Sequence, residues 1–213
     1  MEIRLEDLYS PKNSKSKIKI MRGHFSSTHA HVNTYIDIST VTNRSKNAKE
    51  TADLLAESYR YSTKVDTIVC LDGTRVIGAF LAENLSKEGM SSINGGENIA
   101  VVTPETVARG QQVFRDNTKR MIAEKDVLIL SGTVITGETM LRTINTVLYY
   151  GGRVSGLAAV FSGISKVAGM DMVSVFALKD VPDYQAYSMH DCPMCKAGRK
   201  LDGIVNSYGY SLL

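Results

Sequence analysis

The chain has 213 residues, of which 43% are hydrophobic and 22% are charged, and its formal net charge is +3. This composition excludes a disordered or fibrous chain, and the length suffices for a single domain with a full hydrophobic core. Lysine and arginine are scattered without a basic block, so we expect neither a nucleic-acid-binding protein nor a membrane-surface protein.

The N-terminal sequence and the cysteine count bear on the compartment. Residues 1–7 are charged and lack the apolar run of a signal peptide, and no stretch of about 18 uncharged apolar residues follows. Three cysteines, an odd number, argue against a disulfide framework. We therefore expect a cytoplasmic protein.

Helix-like and strand-like runs alternate along the middle of the chain. Apolar residues at helical spacing predict helices, and short β-branched runs predict strands. In chain order the pattern predicts a helix over 47–59, a strand over 65–71, a helix over 76–87, strands over 98–103 and 126–130, a helix over 138–150, and strands over 153–161 and 172–178. This alternation is typical of an α/β fold, in which helices cover both faces of a mostly parallel sheet.

The ends of the chain do not continue this alternation. We therefore expect one domain over 1–213, made of an N-terminal flap (1–44), an α/β core (45–180) and a C-terminal tail (181–213). Ligands of such folds bind at the carboxyl ends of the strands. The residues that follow Leu71, Thr103 and Leu130 are therefore the candidates for a binding site.

The strongest local signal is the segment Asp126–Thr139. A strand is followed by a short loop, and Thr136-Gly137-Glu138-Thr139 then opens a helix. Amides at a helix N-terminus favour an anion, glycine permits close approach of the backbone, and threonine hydroxyls add donors. The segment predicts a phosphate site, and an ordinary capped turn between strand and helix is the alternative interpretation.

A second turn of the same kind follows Leu71. Gly73 and Thr74 can present amides, and the guanidinium of Arg75 can meet a second phosphate. The alternative is again a capped turn, with Arg75 in solvent. Two such turns in one sheet suit a ligand that carries two separated phosphate groups.

These segments resemble the type I phosphoribosyltransferases, and most closely the orotate phosphoribosyltransferase family, from about Gly23 to Leu178. Val127–Leu130 and Thr136–Thr139 are similar to the strand and loop of that family's signature for 5-phosphoribosyl-1-pyrophosphate (PRPP), and Asp72–Arg75 fall where its pyrophosphate loop lies. The family's flap over the base is matched by Gly23, His24, Phe25, His31 and Tyr35.

The resemblance implies a type I phosphoribosyltransferase-like fold, with a central mostly parallel sheet flanked by helices and an N-terminal flap. It also implies a homodimer that transfers the phosphoribosyl group of PRPP, which carries Mg²⁺, to a nitrogenous base in pyrimidine nucleotide metabolism. The contacts that it implies are Thr136, Gly137, Glu138 and Thr139 to the 5′-phosphate; Asp72, Gly73, Thr74 and Arg75 to the pyrophosphate; Arg109 and Arg115 as catalytic residues on a mobile loop; and Phe25, His31 and Tyr35 to the base.

The mobile loop of the family corresponds to residues 104–125. This polar segment can close over the pyrophosphate and exclude water. The alternative interpretation is a solvated loop followed by a helix over 118–124.

Two positions depart from the family pattern. Ser131-Gly132 stand where the family has an acidic pair that the resemblance implies for binding ribose, and Ser162-Gly163 stand where orotate enzymes have an Asp-Arg pair. The first departure weakens the case for catalysis, and the second weakens the case for orotate as the substrate. A protein that binds PRPP or a nucleotide without turnover is therefore the second functional hypothesis.

The tail contains a Cys-x-x-Cys motif at Cys192 and Cys195, with His190 beside it. Such a motif can supply two zinc ligands, and a full site would need His190 together with His24, His29 or a second subunit. Without a second motif of this kind, we favour a structural tail with inert thiols over a zinc site, and we expect Cys70 to be a buried strand residue. The ending Val205–Tyr210, together with this motif, resembles a bacterial subgroup of orotate phosphoribosyltransferase-like proteins that lacks the acidic pair.

Overall fold

The structure, a computed structural model, describes residues 4–89 and 92–213. The N-terminal strands are β1 (Leu5–Tyr9), β2 (Lys17–Ser26) and β3 (His31–Asp37). They are followed by α1 (Ser39–Thr42), α2 (Ser45–Ala56), β4 (Thr67–Cys70), α3 (Arg75–Leu85), β5 (Ala100–Val102), β6 (Glu105–Thr106), β7 (Gln112–Val113), α4 (Asp116–Lys119), β8 (Asp126–Val134), α5 (Glu138–Tyr149), β9 (Arg153–Ser162), β10 (Lys166–Val167) and β11 (Met170–Ala177). The C-terminal elements are β12 (Ala186–Tyr187), α6 (Pro193–Lys196), β13 (Gly203–Asn206) and β14 (Gly209–Leu212).

The central sheet has the strand order β10-β11-β9-β8-β4-β5, and all neighbours except β10 and β11 are parallel. The buried centres of its middle strands, such as Val127–Leu130, are apolar because helices cover both faces. Leu128 and Leu130 of β8 pack in the same cluster as α2 and α3, whereas Val127 and Ile129 pack in the cluster that contains α5. The predicted α/β fold is confirmed.

Strand β8 is longer than the sequence predicts. It continues to Val134, because Ser131 to Val134 still pair with β9, in the register Ser131↔Ala159 and Val134↔Ser162. The turn into α5 is therefore only three residues long. The helix predicted over 118–124 is also different: α4 ends at Lys119, and the chain continues in turns up to a left-handed Glu124, with φ 60°.

A second sheet covers the carboxyl ends of the central strands, and we call it the hood. Its strand order is β12-β3-β2-β13-β14, with β1 paired to the first half of β2. The N-terminal flap and the C-terminal tail of the sequence analysis thus share one sheet, since β13 runs parallel to β2 with Gly203 opposite Phe25. Across residues 4–89 and 92–213, no helix has the length and apolar character required to cross a membrane.

Candidate functional site

A cavity of about 570 Å³ lies between the hood and the carboxyl ends of β4 and β8. This is the place where α/β folds bind ligands. Five segments line the cavity: residues 27–43 of the β2–β3 loop, β3 and α1; the β4–α3 turn; the end of β8 with the first two turns of α5; the β6–β7 hairpin; and the β13–β14 turn. Thr136, Gly137, Glu138 and Thr139, all predicted for phosphate, are among the lining residues.

The turn into α5 is shaped by Gly137. Its φ is 83°, and a side chain there would meet Ile164 at 2.8 Å and Val167 at 3.3 Å, so both conformation and space require glycine. The first amides of α5 have no partner within the helix. The nearest acceptor of the Glu138 amide is the Thr136 hydroxyl oxygen, at a long 3.5 Å. This turn can therefore donate hydrogen bonds to an anion in the cavity.

A histidine of the hood reaches the same turn. His29 Nδ1 lies 3.0 Å from a carboxylate oxygen of Glu138, and both residues line the cavity. The contact joins the loop between β2 and β3 to the first turn of α5. Opening the cavity on this side requires that the contact be broken.

Asp72 joins the two predicted turns at the cavity wall. Its Oδ2 accepts hydrogen bonds from the Ser131 hydroxyl at 2.6 Å and from the Gly132 amide at 3.3 Å. Burial raises the pKa of Asp72 above its ordinary value, and the hydrogen bonds from Ser131 and Gly132 offset part of this effect. The carboxylate therefore lies next to the position of the missing acidic pair.

The backbone at position 132 leaves no room for a side chain. A Cβ on Gly132 would clash with Ile38 Cδ1 and would lie 3.0 Å from Asp72 Cβ. The space that an acidic side chain would need at this position is filled by Ile38, which precedes α1, and by Asp72 itself.

The remaining residues predicted for pyrophosphate are arranged differently. Asp72 and Gly73 line the cavity, whereas Arg75 is exposed at the start of α3 and is not among the lining residues. Thr74 is fully buried, and both of its donors are used internally: its amide and its hydroxyl each bond the Leu71 carbonyl, at 3.0 and 2.6 Å. Its donors therefore hold the turn together.

Of the predicted catalytic arginines, Arg109 lies between β6 and β7 and Arg115 immediately precedes α4. Arg115 forms two hydrogen bonds to the exposed carboxylate of Glu105, at 2.6 and 2.8 Å, and is not among the lining residues. The backbone of Arg109 forms a 3₁₀ turn with Ala108 and Gly110, and its side chain lies outside the described part of the structure.

Arg142 supplies a positive charge that the sequence analysis missed. It lines the cavity from α5, and its Nη1 donates to the Gly110 carbonyl at 3.2 Å, which ties the β6–β7 segment to the helix. Its position four residues after Glu138, on the same helical face as the phosphate turn, was a usable signal.

The three residues predicted near the base occupy different surroundings. Tyr35 lines the cavity and packs between Phe25 and Tyr210, with ring centroids 6.3 and 5.5 Å away. Burial, and secondarily the charge of Asp37, raise the pKa of Tyr35. Phe25 is fully buried behind it, and His31 lies in a separate cluster of histidine and cysteine side chains.

Gln112 is a further lining residue that the sequence did not indicate. It is buried, and within the described residues its Oε1 has no hydrogen-bond partner. A buried amide oxygen without a partner costs free energy, so this amide has a reason to rearrange when a ligand enters the cavity. No sequence signal could have found it, because it stands alone in a two-residue strand.

The Cys-x-x-Cys motif lies under the hood beside two histidines. One ligand atom from each of His24, His31, Cys192 and Cys195 lies within 4.8 Å of the other three. The sequence analysis favoured inert thiols and placed His190 beside the motif, but the group in the structure contains the two hood histidines instead. Cys70 is separate, and burial raises the pKa of its thiol to about 12.

No protein-family model matches the chain. Solved structures of similar fold include UMP synthase of Leishmania donovani, at 18% identity and a TM-score of 0.54, with 75% of this chain and 34% of that chain covered. The orotate phosphoribosyltransferase of Aeropyrum pernix is 19% identical with a TM-score of 0.53, and the match covers 75% of this chain and 88% of that chain. The adenine phosphoribosyltransferase of Thermoanaerobacter pseudethanolicus is 18% identical with a TM-score of 0.52, and the match covers 82% of this chain and 95% of that chain. This chain thus spans about a third of the UMP synthase. The architecture around the cavity is the fold of the type I phosphoribosyltransferases.

Proposed function

We propose that the chain is a phosphoribosyltransferase, similar to the orotate enzymes, that transfers the 5-phosphoribosyl group of PRPP to a nitrogenous base and yields a nucleoside 5′-monophosphate. One observation carries the proposal: the turn Thr136–Thr139, with its left-handed Gly137, places the N-terminus of α5 in the wall of a cavity at the carboxyl end of the central sheet. The positive end of a helix favours a phosphate there. The fold shared with orotate and adenine phosphoribosyltransferases supports this assignment.

In the proposed reaction, the bond from the ribosyl anomeric carbon to pyrophosphate breaks while a bond to a nitrogen of the base forms. Positive charge develops on the sugar, and a carboxylate held nearby stabilises it. Asp72 supplies such a group at the place where the family has its acidic pair. Asp37 and Asp72, both lining residues, offer the oxygen ligands that Mg²⁺ prefers, and the metal would neutralise pyrophosphate.

For the base, Gln112 and Tyr35 are the proposed contacts. Gln112 lines the cavity, and rotation of its buried amide would let Oε1, which has no hydrogen-bond partner among the described residues, accept a hydrogen bond from an N–H group of the base. Ser162 stands at one position of the Asp-Arg pair of orotate enzymes. Its hydroxyl donates to the Ile164 carbonyl at 2.7 Å, so this donor is already used within its own loop and is not offered to a substrate carboxylate. We therefore propose a base that presents an N–H group and carries no carboxylate.

The test is pyrophosphate release from PRPP and Mg²⁺ with a panel of purine and pyrimidine bases, including orotate. We expect release that depends on one base without a carboxylate and that falls at least tenfold in Gln112→Leu. Gln185→Leu, at an exposed glutamine that is not among the lining residues, is the control and should leave release unchanged. Release with orotate alone would contradict the proposed base class.

A second candidate function is binding of PRPP or a nucleotide without turnover. The contacts of Asp72 favour it, because its Oδ2 already accepts hydrogen bonds from Ser131 and Gly132 and is therefore less available to a developing positive charge. This candidate predicts measurable binding of a nucleoside monophosphate with no pyrophosphate release in the presence of any base. The release assay therefore separates the two functions.

A further inference from the structure

Four potential metal ligands meet between the hood and the C-terminal segment. His24 on β2 and His31 on β3 face Cys192 and Cys195, which lie at the start and within α6. Three of the four side chains are buried, and both cysteines are free thiols. Two cysteines and two histidines form the donor set typical of structural zinc, and soft thiolates disfavour magnesium and calcium.

The distances between the ligand atoms have the size that zinc requires. His24 Nε2 and His31 Nδ1 are 3.2 Å apart. The sulfur of Cys195 lies 3.3 Å from His31 Nδ1 and 3.6 Å from His24 Nε2, and the sulfur of Cys192 lies 3.4 Å from His24 Nε2. A tetrahedral zinc bound at about 2.0–2.1 Å to nitrogen and about 2.3 Å to sulfur places its ligand atoms about 3.3–3.8 Å apart. Four of the six distances between the ligand atoms are therefore close to those of a tetrahedral zinc site, and the other two are within 4.8 Å.

The surroundings of His24 fix the proton on the nitrogen that faces away from the cluster. Its Nδ1 lies 3.0 Å from the Arg199 carbonyl and 3.2 Å from the Lys200 carbonyl. Carbonyl oxygens only accept, so Nδ1 carries the proton and Nε2 presents a lone pair to the cluster. A backbone partner on the second ring nitrogen is the usual support of a metal-bound histidine.

The segment after the motif is itself held to β2. The His24 amide donates to Asp202 Oδ2 at 2.6 Å, and the Asp202 amide donates to the His24 carbonyl at 2.8 Å. β13 begins at the next residue, and the β13–β14 turn lines the cavity. A metal here would therefore fasten the C-terminal hairpin over the proposed binding site.

We propose that His24, His31, Cys192 and Cys195 bind one Zn²⁺ ion, which connects the β2–β3 hairpin to the C-terminal segment. Binding displaces the thiol protons, so the bound form has two thiolates and two neutral imidazoles and about two protons are released. The role is structural, because four protein ligands fill the tetrahedral sphere. None of the four ligands lines the phosphoribosyl cavity, so zinc content and phosphoribosyl transfer are measured separately and either proposal can fail without the other.

The first test uses the unaltered full chain. Elemental analysis of reduced, purified protein should give one zinc per chain, and the metal-free protein should take up one equivalent of Zn²⁺. Replacement with Co²⁺ should give intense visible bands of a tetrahedral ion together with thiolate-to-metal charge transfer. Absence of uptake, another metal in its place, a six-coordinate cobalt spectrum, or a Cys192–Cys195 disulfide in place of metal would each overturn the proposal.

The second test uses matched variants. Cys192→Ser and Cys195→Ser should each reduce zinc content at least tenfold and should abolish the charge-transfer band. Two controls match them: Cys70→Ala removes the cysteine outside the cluster, and His190→Asn removes the histidine beside the motif. Both controls should keep one zinc per chain. Equal zinc content in the Cys192→Ser/Cys195→Ser double variant would overturn the assignment even if the protein folds normally.

Discussion

Asp72 adopts a left-handed backbone conformation, with φ 53°, and is followed by a left-handed Gly73. Such geometry is unfavourable for most residues, although aspartate and asparagine tolerate it, and it concentrates at functional sites. Here it turns the carboxylate of Asp72 back towards β8, where Ser131 and Gly132 bind it. The sequence placed Asp72 in a binding turn, but its contact with Ser131 depends on the neighbouring strand and was not predictable locally.

The raised pKa of Asp72 leads to a prediction about pH. The native state takes up the proton at a higher pH than the unfolded state, so this residue destabilises the fold at neutral pH. That penalty is relieved as the pH falls through the raised pKa, and the change is complete below the ordinary value of about 3.9. Asp72→Asn keeps the shape and the left-handed tolerance, and it should lose this pH response.

Urea unfolding of the wild type and Asp72→Asn, at neutral pH and at about pH 4, measures the effect. We expect the stability of the variant relative to the wild type to be greater at neutral pH than at the lower pH. The same relative stability at both pH values would contradict the assigned pKa shift.

At the scale of elements, the alternation of apolar runs predicted the core well. The strands predicted over 126–130 and 153–161 correspond to β8 and β9, and the helix predicted over 138–150 corresponds to α5. The end of β8 was missed because Ser131 and Gly132 are typical of a loop in local sequence. Their pairing with β9 overrides that preference.

The close approach of Gly132 in β8 to Ile38, the residue before α1, can be tested by substitution. Gly132→Ala would drive a methyl group into Ile38, so it should destabilise the fold by about 1–3 kcal/mol, the usual range for overpacking. Gly163→Ala is the matched control, because its nearest contact would be an ordinary 3.6 Å. It should change stability by less than about 0.5 kcal/mol. Urea denaturation of both variants measures the free energy of unfolding, and an equal loss in the two variants would refute the close approach.

At the scale of the whole molecule, the hood was the least predictable part. Its strands come from both ends of the chain, and β2 meets β13 across more than 170 residues. Local periodicity carries no information about such pairings. For the same reason, the sequence revealed the Cys192 and Cys195 motif but not its histidine partners on β2 and β3. The segments predicted for phosphate could be found locally, because each joins a predicted strand to a helix and strand ends in a parallel sheet converge.

The central claim is that the turn from Thr136 to Thr139 binds the 5′-phosphate of a phosphoribosyl ligand. Calorimetric titration with ribose 5-phosphate, and with PRPP and Mg²⁺, tests it in the wild type, in Thr136→Ala/Thr139→Ala and in Thr118→Ala. Thr118 lies outside the cavity lining and serves as the control.

Hydrogen bonds to a charged group contribute about 1.5–3 kcal/mol each, so loss of the two hydroxyls should weaken binding by at least about tenfold. The control should bind as the wild type does. Wild-type binding that is unchanged in the double variant, or absent for both ligands, would contradict the account.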